Sequence, residues 1–321
     1  MQPIPRVNGF LPWIAERIRG QPEVLRTLDE HAARSELGLT ETGLVRGGFL
    51  FVGPTGVGKT ETTLRFGEYF HGAGSVARFN MSEFKEARSV AEMRGRLAKA
   101  HGEGRRVFLI DEIEKAHWEV LDLLLQILDE GAELTAPDGG VRGFTDAYFV
   151  MTSNLGAREA MRSRTLNYTS YSNTILEYVR RYLRPELLGR IHGVGGVFVF
   201  RRLEEPQQRE VAHHHLGGVL GRMARLGHRL ELGEAGFEYI MRHGFSEDYG
   251  ARHLLGVIRA QVEGAVADAL RQGRPTSGRL VEREDGSGLA IAAGNGAVET
   301  VGSPEGNQSG YFTPPGVKYP G

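Results

Sequence analysis

Short, nearly unbroken apolar runs recur along the chain, at 48–53 (GFLFVG), 76–80 (VARFN), 107–111 (VFLID), 148–154 (YFVMTSN) and 197–200 (VFVF). Runs of this kind, rich in Val and Phe, are those of strands buried on both faces. Between them the period changes. In WEVLDLLLQILDE (118–130), Leu121, Leu124, Leu125 and Leu128 recur three and four residues apart, which predicts a helix with that leucine face buried. Strands alternating with helices predict an α/β domain whose five-stranded parallel sheet is covered on both sides.

The pattern shifts after residue 201. EAGFEYIMRHG and LLGVIRAQVEGAVADALRQG read as helices broken by glycines, and GRLVEREDGSGLAIAAG (278–294) reads as two alternating runs around DGSG, a β-hairpin. The predicted division is an N-terminal extension (1–11), a large α/β domain (12–201), a small, mainly helical lid domain with a hairpin (202–294) and a tail (295–321). The tail is rich in Gly, Pro and Ser and aperiodic, so disorder is expected there, with Tyr311, Phe312 and Tyr319 open to a partner. No internal repeat is visible.

Composition narrows the classes. With 40% apolar and 25% charged residues the 321-residue chain reads as a globular protein. A net charge of -1 gives no global pull toward nucleic acid or acidic membrane, so such binding requires a local patch. One exists: residues 85–106 carry seven Lys or Arg against three Glu, with no Phe, Tyr or Trp between Phe84 and Phe108. The absence of cysteine excludes disulfides, thiolate catalysis and Cys-based zinc sites, and is compatible with a reducing compartment. MQPIPRVNGFLPW lacks the pattern of a signal peptide, and no run approaches the roughly 18–20 apolar residues of a membrane span, so a cytoplasmic, membrane-free protein is expected. Three consecutive histidines, 213–215, point about 100° apart on a helix, and no metal site is expected of them.

The candidate chemistry begins at GPTGVGKT, which fits the phosphate-loop pattern in full through Gly53, Pro54, Thr55, Gly56, Val57, Gly58, Lys59 and Thr60. It follows a strand and opens a helix, the context that pattern requires. The glycines let backbone N–H groups turn toward phosphate oxygens. Lys59 would neutralise the β- and γ-phosphates of ATP, and the Thr60 hydroxyl would hold Mg²⁺. The strand VFLIDE ends in two carboxylates: Asp111 suits the Mg²⁺ shell and Glu112 suits activation of water. YFVMTSN brings Thr152 and Asn154 to the carboxyl end of the same sheet, where open α/β sheets bind ligands, and Asn154 is placed to orient the water.

IRGQPEVL, FLFVGPTGVGKTE, NMSEF, LIDEIEKAH, LLQILDEG, VMTSNLG, LRPELLGRI and YGARHLL together resemble, in order, the second ATPase module of the Clp disaggregases and unfoldases, within the AAA+ ATPases; the resemblance covers roughly residues 12–293. It implies an AAA+ P-loop NTPase fold and an ATP-driven ring, usually a hexamer, with nucleotide at each subunit interface. By position, Arg190 in LLGRI corresponds to the arginine finger that reaches a neighbour's γ-phosphate, and Arg252 in YGARHLL to the arginine that reads γ-phosphate from the lid. Ile18, Arg19 and Gln21 would flank the adenine. The sequence departs from the family in one place. After MSEF the family carries a glycine-rich loop with an aromatic residue that grips threaded polypeptide; here ARSVAEMRG runs directly into RLAKAHGEGRR, and that loop is deleted.

The leading expectation is an ATP-hydrolysing module that remodels a protein partner without aromatic threading, with residues 85–106 meeting an acidic surface. A nucleic-acid-associated regulator or loader and a nucleotide-switched assembly scaffold remain the alternatives.

Overall fold

The computed structural model describes residues 6–162, 167–245 and 251–292. The five apolar runs form one parallel sheet from β1 (Gly47–Val52), β2 (Val76–Asn80), β3 (Val107–Asp111), β6 (Tyr148–Ser153) and β7 (Gly195–Val199), in the order β2-β3-β6-β1-β7. Each residue of β1, β3 and β6 is buried, which is why these strands show no polar alternation.

Successive side chains still go to opposite faces. Leu50, Val52, Phe108, Ile110, Phe149 and Met151 enter one core with α4 (Ser89–Gly102), α5 (Trp118–Ile127), α7 (Tyr168–Tyr182) and α8 (Pro185–Val194). Phe49, Phe51, Val107, Tyr148 and Val150 enter the other, against α1 (Phe10–Ala15), α2 (Pro22–Glu36) and α3 (Lys59–His71). The Phe108 and Phe149 rings stack across neighbouring strands, 4.9 Å between centroids. A short helix, α6 (Ala157–Arg162), leaves the end of β6.

The buried face of α5 differs from expectation: Val120, Leu123, Leu124 and Ile127 are buried, whereas Leu121 and Leu125 are only half-buried. Seven of its ten positions are apolar, so periodicity alone does not single out one face. A hairpin of β4 (Glu133–Thr135) and β5 (Val141–Gly143) was not anticipated. Its strands are three residues long and largely exposed, too short to show a period.

Beyond the sheet, α9 (Glu205–Arg225), α10 (Glu234–Gly244) and α11 (Leu254–Arg271) enclose a third core of Ala212, Leu216, Phe237, Ile240, Ile258 and Val262. The expected hairpin is present as β9 (Gly278–Glu282) and β10 (Leu289–Ile291), antiparallel, and β8 (Leu230–Leu232) joins it in parallel as a third strand. The proposed tail, 295–321, lies outside the described residues. Among the described residues no helix is long and apolar enough to cross a membrane.

Candidate nucleotide site

A cleft of about 590 Å³ opens at the carboxyl ends of β1, β3 and β6 and is closed from the far side by α9 and the start of α11. Thr55 through Thr60 line it, together with Asp111, Glu112, Thr152 and Asn154 from the large sheet. Across from them stand Val211, His214, His215, Ala251, Arg252 and Leu255. Two lengths of chain separated by some fifty to two hundred residues thus meet over the loop GPTGVGKT, an order of separation that only the fold reveals.

The loop's shape rests on glycine. Gly58, at φ +105°, stands just before α3 and lets the helix begin with its amides facing the cleft. Gly53 has φ +151°, and a Cβ there would lie 2.2 Å from the Phe200 carbonyl oxygen. Gly53 and Pro54 are buried behind the wall; their carbonyl oxygens accept from Lys59 Nζ at 2.5 and 2.6 Å, while Asn154 Oδ1 accepts from it at 2.9 Å. All three acceptors are neutral. Burial therefore pushes the Lys59 ammonium down to about 7, against the opposing fields of Glu114, Asp111 and Glu112.

The acidic pair is held by Thr152. Its hydroxyl donates to Asp111 Oδ1 at 2.5 Å and accepts the Glu112 N–H at 3.1 Å. Asp111 Oδ2 accepts from Arg78 Nη2, also at 2.5 Å. Glu112 sits at φ +58°, a left-handed conformation that costs a non-glycine residue on the order of 1–3 kcal/mol and is concentrated at functional sites. Its Oε2 accepts from Lys115 Nζ at 2.6 Å and lies 3.4 Å from the Ser82 hydroxyl. Glu112 is thus an accessible carboxylate at the strand end, lining the same cleft as the loop GPTGVGKT.

The chain suits a triphosphate brought with Mg²⁺. Thr60 and Asp111 both line the cleft and offer hard oxygen donors, the kind Mg²⁺ takes. No group of three or more His, Cys, Asp or Glu able to hold a metal is found among the described residues, so the remaining ligands would be phosphate oxygens and water.

The other expected residues divide. Ile18 and Arg19 line the cleft, and so does Arg252. Gln21 does not: it is 1% exposed, donates to the carbonyls of Val57 (3.3 Å) and Arg201 (2.9 Å), and accepts the Arg201 N–H at 3.1 Å. Its amide ties the loop GPTGVGKT to Arg201, two residues past the end of β7. Arg190 lies outside the cleft of its own chain, exposed on α8 and paired with Asp129 at 2.8 Å.

Sequence reasoning missed Arg78, Glu114, His214 and His215. The first sits inside a strand, and the histidines were weighed only as metal ligands. His213 stacks on Phe237 with centroids 4.1 Å apart, and burial lowers the pKa of all three imidazoles.

The basic stretch 85–106 is less open than its composition implied. Residues 84–88 pass directly from a 3₁₀ turn, Met81–Glu83, into α4, and Phe84 is fully buried. Arg96 pairs with Glu83 and Glu92, Arg88 with Glu86, Lys99 with Glu103 and Arg106 with Asp146. Lys85, Arg94 and Arg105 have no carboxylate partner among the described residues.

Known proteins match this architecture. The family model described as AAA domain (Cdc48 subfamily) matches residues 45–194, and that of the C-terminal, D2-small domain of ClpB protein matches 203–282. A chaperone protein ClpB from Vibrio vulnificus is 35% identical over 273 residues, 80% of this chain and 31% of its own. The ATP-dependent Clp protease ATP-binding subunit ClpA homolog of Cyanidium caldarium is 31% identical over 87% of this chain and 36% of its own. The chloroplastic chaperone protein ClpC3 of Oryza sativa is 32% identical, again over 87% of this chain and 32% of its own. The chain thus spans about a third of the length of these relatives.

Proposed function

This chain belongs to the AAA+ ATPases of Clp type, and from that premise we propose that it uses ATP hydrolysis to remodel a protein partner without threading it past aromatic loops. The observation that carries the chemistry is the placement of Lys59, Asp111, Glu112 and Asn154 around one cleft. Lys59 and the loop amides bind the β- and γ-phosphates. Glu112 takes a proton from water as the water oxygen bonds to the γ-phosphorus and the bond to the β–γ bridging oxygen breaks, releasing ADP and phosphate. Thr60 and Asp111 would hold Mg²⁺, which would supply charge neutralisation on the phosphate oxygens. Asn154 orients the water, and Arg252 links the lid to the γ-phosphate.

Arg190 completes a neighbour's cleft. Its position on the outside of its own subunit supports a head-to-tail ring, with a hexamer as the expected closure. The partner contact proposed is the stretch 85–106 that contains α4, through Lys85, Arg94 and Arg105. Because four of the seven cations there already have acidic neighbours, a protein with a modest acidic patch fits better than the dense charge of a nucleic acid.

The test is capture with Glu112→Gln held in ATP. The trapped protein should retain a specific protein partner that wild type releases on turnover, and reversal of Lys85 and Arg94 to Glu should lose it. Retention of nucleic acid instead, lost steeply with salt, would move the reading to a nucleic-acid regulator.

A further inference from the structure

Glu114 stands in the 3₁₀ turn Ile113–Lys115, just past Glu112, and is not among the residues lining the cleft. Its Oε1 accepts the backbone N–H of Asn154 at 3.2 Å. Its Oε2 is buried with no hydrogen-bond partner. Its carbonyl oxygen accepts from the hydroxyl of Tyr182, the last residue of α7. A carboxylate oxygen buried without a partner costs stability, so packing alone gives no reason for it here.

What Glu114 touches does give one. Asn154 is the first residue past β6, and its side-chain oxygen accepts from Lys59 Nζ at 2.9 Å. The next amide, Leu155 N–H, is held by Ser153 Oγ at 3.1 Å. Two side chains therefore clamp two successive amides at the strand end. Glu114 is also the carboxylate whose field acts most strongly on Lys59, ahead of Asp111 and Glu112.

We infer that Glu114 is a positioning residue for hydrolysis: by holding the Asn154 N–H it keeps the Asn154 amide aimed at Lys59 and the γ-phosphate end of the cleft. The inference rests on the proposed function, since it assigns Glu114 a place in that reaction. It acts through Asn154 and touches no reacting atom. Tyr182 fixes the turn from outside, on the segment that leads into α8 and Arg190.

The experiment compares steady-state hydrolysis and nucleotide binding of wild type, Glu114→Ala, Glu114→Gln, Asn154→Ala and the Glu114→Ala/Asn154→Ala double variant, with thermal melts to confirm folding. Misplacing a catalytic group by about 1 Å can cost on the order of 10²-fold, so Glu114→Ala should lose at least about tenfold in kcat while KM and the ADP Kd stay within about threefold. Glu114→Gln, which keeps an oxygen for the Asn154 N–H, should recover most of that loss. The double variant should be no slower than Asn154→Ala, because both changes remove one device. If Glu114→Ala does not fold, Glu114→Asp, one methylene short of the amide, carries the same comparison. A folded Glu114→Ala within twofold of wild type (roughly the assay error), or losses that multiply in the double variant, would overturn the inference and leave the ATPase reading standing. A wild-type chain that binds ATP and never turns it over would remove both.

Discussion

Lys59 carries a cation into a place where only neutral oxygens touch it. Burial lowers its pKa to about 7, so before nucleotide is added the side chain gives up its proton as pH rises through that value. A bound triphosphate supplies the missing countercharge and restores the proton. Above pH 7, then, binding Mg-ATP takes up a proton at Lys59, and affinity weakens as pH rises; below pH 7 the lysine is already charged and contributes no uptake. Calorimetric titration in buffers of different ionisation enthalpy, at about pH 6 and about pH 8.5, should show uptake approaching one proton only at the higher pH. Equal uptake at both would mean that Lys59 stays charged despite its burial. The residues of this site were legible unevenly. GPTGVGKT and VFLIDE were readable because each packs its chemistry into a few consecutive positions. Gln21, Glu114 and His214 were not, because what they do depends on Val57, Asn154 and the lid meeting across the fold.

At the scale of elements, the five sheet strands were legible because central strands buried on both faces must be apolar throughout. The β4–β5 hairpin and β8 were not, since strands of three residues are too short to carry a period. The pair α5 and α8 shows why stability and function separate. Arg184, just before α8, reaches Asp122 on α5 at 2.7 Å, and Arg190 on α8 reaches Asp129, two residues past α5, at 2.8 Å, two ion pairs with every partner substantially exposed. Exposed pairs of this kind contribute about 0–1 kcal/mol, so Arg190→Ala should barely move Tm. Its ATPase activity should nevertheless fall by about 10³-fold if the guanidinium serves a neighbour's γ-phosphate. Mixing Arg190→Ala with Lys59→Ala, each inactive alone, should then restore part of the activity at interfaces that join an intact loop to an intact finger. No recovery across a range of protein concentrations would place Arg190 outside the reaction.

The whole molecule is three cores around a nucleotide-sized cleft: two on the faces of the sheet, which supplies the glycine-rich loop and the carboxylates, and a helical one beside Arg252 and the opposite wall. Gln21 holds the passage between them, bonded at once to Val57 in the loop and to Arg201 at the entry to the lid. On the proposed function, such a joint would let the angle of the helical unit follow the state of the phosphates. All of it depends on the cleft hydrolysing ATP through Glu112. The most direct measurement is therefore single-turnover hydrolysis of Mg-ATP by wild type and Glu112→Gln, with the ATP Kd of each determined on the same samples. Glu112→Gln should bind ATP within about threefold of wild type and hydrolyse it at least about 10²-fold more slowly, because an amide cannot accept the proton of the attacking water. Hydrolysis by Glu112→Gln at the wild-type rate would contradict the account.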